Sequence, residues 1–204
     1  MLKKQTSTLP RPRVRRHHFL AAWVRSPLKI GALLPSSRGL ANAMAAEVDV
    51  KKPGVIIELG GGTGAVTHAL LASGIPPERL VVIERDRKLH VILSSQFPGL
   101  NVLCADVIDL DKVLIGAGIN RINAIVSSLP LLGMPKPVRL AVLHQMAAAV
   151  GHDTALIQFT YGPRSPVGRQ HLRQYHLHGR RKKLVMGNLP PAHVWVYRKG
   201  QAVI

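Results

Sequence analysis

The residues best suited to chemistry in this sequence are a carboxylate and three glycines that follow an apolar run. Glu58 is followed by Gly60, Gly62 and Gly64, directly after the apolar, β-branched residues 55–57. Glycine permits a tight turn whose backbone amides can approach a ligand without Cβ atoms in the way, and a helix N-terminus after such a turn attracts anionic groups. Apolar residues then recur at helical spacing, so the context is strand, turn, helix. This arrangement predicts a binding site for a nucleotide-containing cofactor.

Two further acids, Glu84 and Asp106, each follow a later apolar run. The glycine turn also satisfies the G-x-G-x-x-G/A pattern of dinucleotide-binding units through Gly60, Gly62 and Ala65. In such units an acid at about the distance of Glu84 binds the ribose of the cofactor. An NAD-dependent oxidoreductase is therefore one interpretation of the sequence.

The turn is better described as E-x-G-x-G-x-G, which resembles motif I of class I S-adenosylmethionine-dependent methyltransferases. The resemblance implies that the turn packs on the methionine part of the cofactor, that Glu84 binds both ribose hydroxyls, and that Asp106 contacts the adenine amine. The cofactor-binding residues predicted in this way are Glu58, Gly60, Gly62, Gly64, Glu84, Asp106 and Ser127. The implied cofactor is S-adenosylmethionine, with S-adenosylhomocysteine as its product.

Apolar runs alternate with helical patterns along the 204 residues. Strands are predicted near 55–58, 80–84, 101–104, 123–127, 155–161, 183–187 and 193–198, and helices near 64–73, 87–95 and 138–149. This series predicts an α/β fold with a doubly wound, Rossmann-like sheet of seven mostly parallel strands. We assign this domain to residues 31–204, after an N-terminal arm of residues 1–30. The single cysteine, Cys104, excludes an internal disulfide and favours a reducing compartment.

The charge balance predicts a polyanionic partner, because 28 Lys and Arg residues against 10 Asp and Glu residues give a net charge of +18. In the arm, basic residues flank an apolar face that suits a helix lying in the headgroup layer of an anionic membrane. Docking of that face on the domain as ordinary core is the alternative. The predicted lipid-binding residues are Arg13, Arg15, Arg16, Phe19, Leu20, Trp23 and Arg25 in the arm, and Arg169, Arg173, Arg180, Arg181 and Lys182 in a late basic cluster. No apolar run approaches the ~20 residues of a spanning helix.

Several longer sequence blocks resemble bacterial phospholipid N-methyltransferases, and they occur here in the same order as in that family. These blocks are residues 23–27, 31–37, 40–41, 127–132, 158–162, 165–167 and 188–198. Members of that family methylate the amine of phosphatidylethanolamine, in up to three steps, toward phosphatidylcholine. The resemblance implies a cytoplasmic, peripheral enzyme at the inner face of the cytoplasmic membrane. We expect a monomer with no nucleic-acid partner and no metal, since the clustered histidines lack nearby acids or cysteine.

Ribosomal RNA adenine dimethyltransferases are the nearest competing resemblance. Their motif after the fourth strand is N-L-P-[YF], in which the amide accepts from the target adenine and the aromatic ring stacks on the extruded base. Here Ser128, Leu129, Pro130 and Leu131 occupy those positions, so the usual means of holding a flipped base is missing. RNA methylation is kept as the alternative function.

Methyl transfer requires a neutral amine nitrogen that is collinear with the S–CH₃ bond of the cofactor. The backbone carbonyls of Ser127, Ser128 and Leu129 are predicted to accept from that amine, since sites in α/β sheets collect at the carboxyl ends of strands. Tyr161, at the end of the fifth strand, is predicted to add a hydroxyl contact or a ring face for a methylated ammonium. These four are the predicted catalytic residues, and a purely structural Tyr161 whose hydroxyl ties its loop is the alternative.

Overall fold

The computed structural model describes residues 37–188 and 190–200. The strands are β1 (Val55–Leu59), β2 (Leu80–Glu84), β3 (Asn101–Cys104), β4 (Ile122–Ser127), β5 (Ala155–Thr160), β6 (Leu177–Val185) and β7 (Ala192–Lys199). The helices are α1 (Arg38–Ala45), α2 (Ala65–Ala72), α3 (Arg87–Gln96), α4 (Leu110–Gly116), α5 (Lys136–Ala149) and α6 (Arg169–Gln174). The predicted arm of residues 1–30 lies outside the described residues.

The seven strands form one sheet in the order β3-β2-β1-β4-β5-β7-β6. Neighbours from β3 to β5 are parallel, whereas β7 runs antiparallel to both β5 and β6. The order of the parallel strands reverses between β1 and β4, and ligands of open α/β sheets bind at the carboxyl ends of strands beside such a switch point. The predicted doubly wound, mostly parallel sheet is therefore confirmed.

Helices cover both faces of the sheet, which explains why its central strands read as continuous apolar runs. On one face, Ile56 and Val82 pack in a cluster with residues of α1, α2 and α3. On the other face, Ile57 and Ile83 pack with residues of α4, α5 and α6. The two cores lock the strands in register, which fixes where each strand ends relative to its neighbours.

The bounds of the strand predicted near 183–187 are wrong, because β6 spans Leu177–Val185 and shares only residues 183–185 with that range. β6 is the edge strand, and its residues 180–184 are all exposed, so the apolar alternation that marks a half-buried strand is absent from most of its length. Its register with β7 shifts between Arg181 and Lys183. Helices α1, α4 and α6, which have eight, seven and six residues, were not predicted.

Candidate active site

The turn between β1 and α2 lies at the switch point and requires glycine. Gly60 has a φ of +78° and Gly62 a φ of +56°, both in the left-handed region that side chains disfavour. A Cβ atom on Gly60 would lie 2.8 Å from Leu129 Cδ2, whereas one on Gly62 would meet no atom closer than 3.9 Å. The turn therefore packs tightly on the segment after β4 at Gly60 and leaves open space beside Gly62. Gly64 is the N-cap of α2.

Glu84 ends β2 and holds this turn through its carboxylate. Its Oε2 accepts a 2.9 Å hydrogen bond from the Gly62 amide, and its Oε1 accepts one of 2.7 Å from the Asp86 amide. The residue is 8% exposed. Each carboxylate oxygen has a second lone pair, so the group can accept from two hydroxyls while the turn stays in place. These two free acceptor positions suit the two hydroxyl groups of a ribose.

Glu58, the first acid of the glycine motif, is fully buried at the end of β1. Its Oε2 accepts a 2.7 Å hydrogen bond from Thr67 Oγ1 on α2, and its Oε1 has no partner among the described residues. Burial raises the pKa of this carboxyl to about 8, although the hydrogen bonds with Thr67 oppose the shift. At neutral pH Glu58 is mainly protonated and braces β1 against α2. Its predicted contact with the cofactor stays a prediction.

Asp106 lies two residues beyond β3, at the same edge of the sheet. Its Oδ1 accepts from the Ile108 amide at 3.2 Å and caps the 3₁₀ turn Val107–Asp109. Its Oδ2 lies 3.3 Å from Nη1 of Arg85. The structure thus brings Asp106 to the carboxyl edge where Glu58 and Glu84 lie, while the predicted adenine contact is untested.

The segment after β4 contains the three predicted carbonyls, and they are not equivalent. The Leu129 carbonyl accepts from the Leu131 amide at 2.9 Å and from Gln158 Nε2 at 2.8 Å, so both of its lone pairs are used. The Ser128 amide donates to the Leu59 carbonyl at 2.9 Å. In the described part of the chain, no hydrogen bond reaches the Ser128 carbonyl. Of the Ser128 and Leu129 carbonyls, the Ser128 carbonyl is therefore the one left to accept from an amine.

The hydroxyls of the two serines differ as well. Ser127 is fully buried, and its Oγ accepts a long hydrogen bond of 3.4 Å from the Leu129 amide. The Ser128 Oγ is buried and has no partner within residues 37–188 and 190–200. The Ser127 hydroxyl therefore helps to hold the segment after β4 through the Leu129 amide. The Ser128 hydroxyl is unpaired and belongs to the same residue as the unpaired carbonyl.

Tyr161 follows β5 at the same edge of the sheet and is half-buried. Its ring packs edge-on against Phe159 with 5.3 Å between centroids. Burial raises the pKa of its hydroxyl, and the interaction with the Asn188 side chain opposes the shift. The hydroxyl is therefore neutral at physiological pH and is tied to the β6–β7 turn, as the structural alternative for Tyr161 expects.

The predicted lipid-binding residues of the arm lie outside the described residues. The late basic cluster is divided between two elements, with Arg169 and Arg173 exposed on α6 and the others exposed along β6. Lys182 lies 3.5 Å from the Glu47 carboxylate. β6 begins beside Lys199 and ends beside Ala192, so its last residues are at the edge where β5 ends. The β6 part of the cluster is therefore a strip along the sheet edge, and Arg169 and Arg173 lie apart from it on α6.

Three residues that sequence analysis missed support the site. Thr67 pairs with Glu58, Gln158 holds the segment after β4, and Asn188 links the Ser37 amide, the Pro190 carbonyl and Tyr161. A polar residue inside an otherwise apolar strand, as Gln158 is in β5, was the available signal. Among the described residues, no group of three or more metal-ligating side chains is found, and no helix has the length and hydropathy needed to cross a bilayer.

The fold and the glycine-turn site define a class I S-adenosylmethionine-dependent methyltransferase. The structure is similar to Burkholderia thailandensis 1,6-didemethyltoxoflavin-N1-methyltransferase with bound S-adenosylhomocysteine, at a TM-score of 0.64 and 14% identity over 95% of this chain and 94% of that one. Over 139 residues, 65% of this chain and 72% of the relative, the sequence is 30% identical to an ornithine lipid N-methyltransferase of Singulisphaera acidiphila. The chain belongs to the family of that N-methyltransferase.

Two further comparisons concern this family assignment. The chain is 39% identical over 74 residues to the ribosomal RNA small subunit methyltransferase A of Rhodopseudomonas palustris, which covers 34% of this chain and 25% of that enzyme. No family model matches the chain. The methyl donor is S-adenosylmethionine, so the NAD-dependent interpretation is wrong.

Proposed function

We propose that this enzyme transfers methyl groups to the amine of phosphatidylethanolamine and its methylated intermediates, toward phosphatidylcholine. The observation that carries the proposal is the unpaired Ser128 carbonyl at the switch point, beside the glycine turn. A carbonyl accepts from an amine N–H, whereas the amide and stacking ring that hold an adenine are missing from Ser128–Leu131. Leu131, in the position of the stacking ring, is 2% exposed and offers no face to a base.

The chemistry divides between the cofactor and the protein. S-adenosylmethionine, when bound, supplies a methyl group that its sulfonium already activates. The Ser128 carbonyl would accept one amine N–H and so direct the nitrogen lone pair. Glu84 and the glycine turn would hold the ribose and fix the cofactor's position. Since the Tyr161 hydroxyl stays protonated, we assign Tyr161 a ring contact with the methylated product rather than a role as a base.

The membrane face that we propose is the carboxyl end of β6. Four basic residues, 180–183, lead directly to Leu184 and Met186, which are 46% and 69% exposed. Cationic side chains attract anionic lipid, and apolar ones enter the headgroup layer. This end of β6 lies at the same sheet edge as Tyr161, so a bilayer in contact with it would bring lipid amines to the site. A peripheral, cytoplasmic enzyme on the inner membrane face follows from this proposal.

An ornithine-containing lipid is a second candidate acceptor, because the relative from Singulisphaera acidiphila carries that name. Both lipids present a primary amine at the bilayer surface, but only phosphatidylethanolamine has a phosphate beside it. The basic strip of β6 favours the phosphate-containing lipid. Ribosomal RNA stays as the alternative acceptor, supported by the shorter matches to methyltransferase A enzymes.

The test is to incubate the purified chain and methyl-labelled S-adenosylmethionine with four acceptors in parallel. These are liposomes containing phosphatidylethanolamine, liposomes containing ornithine lipid, liposomes of phosphatidylcholine and phosphatidylglycerol without a primary amine, and ribosomal RNA. We expect label in phosphatidylethanolamine. Label only in ornithine lipid would select the second candidate, and label only in RNA would overturn lipid methylation. Glu84→Ala is the negative control, because it should lose the methylation that depends on cofactor binding.

A further inference from the structure

We propose that Gln158 is a positioning residue for methyl transfer, holding the segment after β4 so that the Ser128 carbonyl meets the acceptor amine. Gln158 lies in β5, directly opposite Ser127 of β4, and is fully buried. Its Nε2 donates to the Leu129 carbonyl at 2.8 Å and to the Phe159 carbonyl at 2.9 Å. A buried side chain in the middle of the sheet thus reaches out to the segment that we assign to the acceptor. The inference rests on the proposed role of the Ser128 carbonyl.

The orientation of this amide is fixed by its partners. Both hydrogens of the NH₂ group are used by carbonyl oxygens, so the reversed amide would set an oxygen against two other oxygens. The remaining oxygen, Oε1, has no partner in the described part of the chain. Leaving a buried acceptor unpaired is costly, and a leucine would fill the position without that cost. The residue is therefore explained by the two bonds it donates.

The hydrogen bonds of Leu129 fix the Ser128–Leu129 peptide, which precedes the Leu129 carbonyl. The Leu129 carbonyl is held by Gln158 and by the Leu131 amide, while the Leu129 amide points to Ser127 Oγ. With both ends of Leu129 held, the Ser128–Leu129 peptide cannot rotate freely, because rotation would break one set of bonds or the other. The Ser128 carbonyl belongs to this peptide, so its direction depends on Gln158.

The same residue, Leu129, also contacts the cofactor turn. Its Cδ2 lies close enough to Gly60 that a Cβ atom there would be 2.8 Å away. Leu129 therefore touches the cofactor side through its side chain and Gln158 through its carbonyl. Gln158 is distant from Glu84 in this arrangement, since β5 and β2 are separated by β1 and β4. Loss of Gln158 should disturb the acceptor geometry and leave the ribose contacts intact.

The first experiment compares Gln158→Leu with the parent and with Gln145→Leu. Gln145 is a suitable control because its side chain also bonds a backbone group, the Asp111 amide, but lies on α5. Gln158→Leu should lower kcat between about tenfold and a hundredfold, since displacement by about 1 Å can cost that much. The affinity for S-adenosylhomocysteine should stay within about threefold of the parent. An unchanged kcat, or an equal loss of cofactor affinity, would overturn the inference.

Gln158→Glu supplies a readout that a purely structural residue would not give, and it also serves where the leucine variant fails to fold. A protonated carboxyl can donate to the Leu129 carbonyl, whereas an ionised one repels it. The ratio of the variant's kcat to the parent's should therefore fall as pH rises, at constant cofactor affinity. A ratio that does not change with pH would contradict the positioning role. These ratios are measured on whichever amine acceptor the parent methylates, so a parent inactive on lipid would refute the proposed function separately.

Discussion

Glu84 Oε2 accepts a 2.9 Å hydrogen bond from the Gly62 amide, which joins the end of β2 to the glycine turn after β1. The same carboxylate caps the chain at Asp86 through Oε1. One side chain thus closes the turn and faces the position proposed for the ribose. The shape of the turn and the binding of the cofactor are therefore coupled through one residue.

Replacement of this carboxylate should weaken cofactor binding strongly. Hydrogen bonds to a charged group contribute about 1.5–3 kcal/mol each, so Glu84→Ala should weaken S-adenosylmethionine binding by at least about tenfold in titration calorimetry. The cofactor affinity of Glu84→Gln should lie between those of the parent and Glu84→Ala, because the glutamine amide keeps one acceptor oxygen. Liposome binding should be unaffected in both variants. Unchanged cofactor affinity in Glu84→Ala would reject the ribose assignment.

Glu58 should make stability depend on pH. In the folded state this carboxyl keeps its proton up to about pH 8, whereas its ordinary pKa is 4.5. The folded state therefore binds more protons between these values, and the free energy of unfolding falls as pH rises through the window, by at most about 1.4 kcal/mol per pH unit. Glu58→Gln should remove this decline, as measured by urea unfolding at pH 5, 6.5 and 8. The exposed Glu78→Gln is the control and should keep the parent's slope.

Tyr161 should act through its ring rather than its hydroxyl. Its hydroxyl is neutral and interacts with Asn188, so Tyr161→Phe should keep most of kcat on monomethylated lipid. Tyr161→Ala should lower kcat by about fivefold to thirtyfold, because a cation–π contact contributes about 1–2 kcal/mol when desolvated. Tyr175→Ala, which removes a tyrosine bonded to His144 away from the site, is the control. Equal activity of all three variants would make Tyr161 a packing residue.

The sheet and the cofactor edge were predictable because they follow from local pattern. Four of the five parallel strands, β1, β2, β4 and β5, are buried on both faces and therefore give largely apolar runs. The partly exposed β3 still contains the short apolar run 102–104, and each of these strands ends in a polar residue or a turn. Glu84 and Asp106 could be placed at one edge on that basis. The site's inner contacts could not be predicted, since the bond between Gln158 and Leu129 joins residues 29 positions apart and depends on the register of β4 with β5.

β6 was difficult to predict for a different physical reason. An edge strand in water needs no apolar face, and charged side chains there prevent pairing with another sheet. The sequence Arg180–Lys183 therefore indicates a basic surface but not a strand. Only the tertiary pairing with β7 reveals that these side chains form a strip ending at the substrate edge. The pairing therefore shows which end of the basic strip lies at the substrate edge, which the sequence alone does not show.

The membrane proposal predicts that both parts of the β6 surface contribute to liposome binding. Arg180→Gln with Arg181→Gln should weaken binding to anionic liposomes by about thirtyfold, because each basic residue contributes about 1 kcal/mol. This part of the binding should decrease as salt rises, since the screening length is about 8–10 Å at ordinary salt. Lys51→Gln with Arg121→Gln removes the same charge from exposed positions before β1 and β4 and should have a smaller effect.

The apolar part of that surface should respond differently to salt. Met186→Ser with Leu184→Ser should weaken liposome binding by a factor that stays nearly constant as salt rises, because burial of apolar area is not screened. Ile115→Ser, at an 80% exposed position on α4, is the control and should leave binding unchanged. Deletion of residues 1–26 in the same flotation assay measures the predicted arm independently. If only the deletion reduces binding and both β6 variants float like the parent, the arm is the membrane anchor and the β6 proposal is wrong.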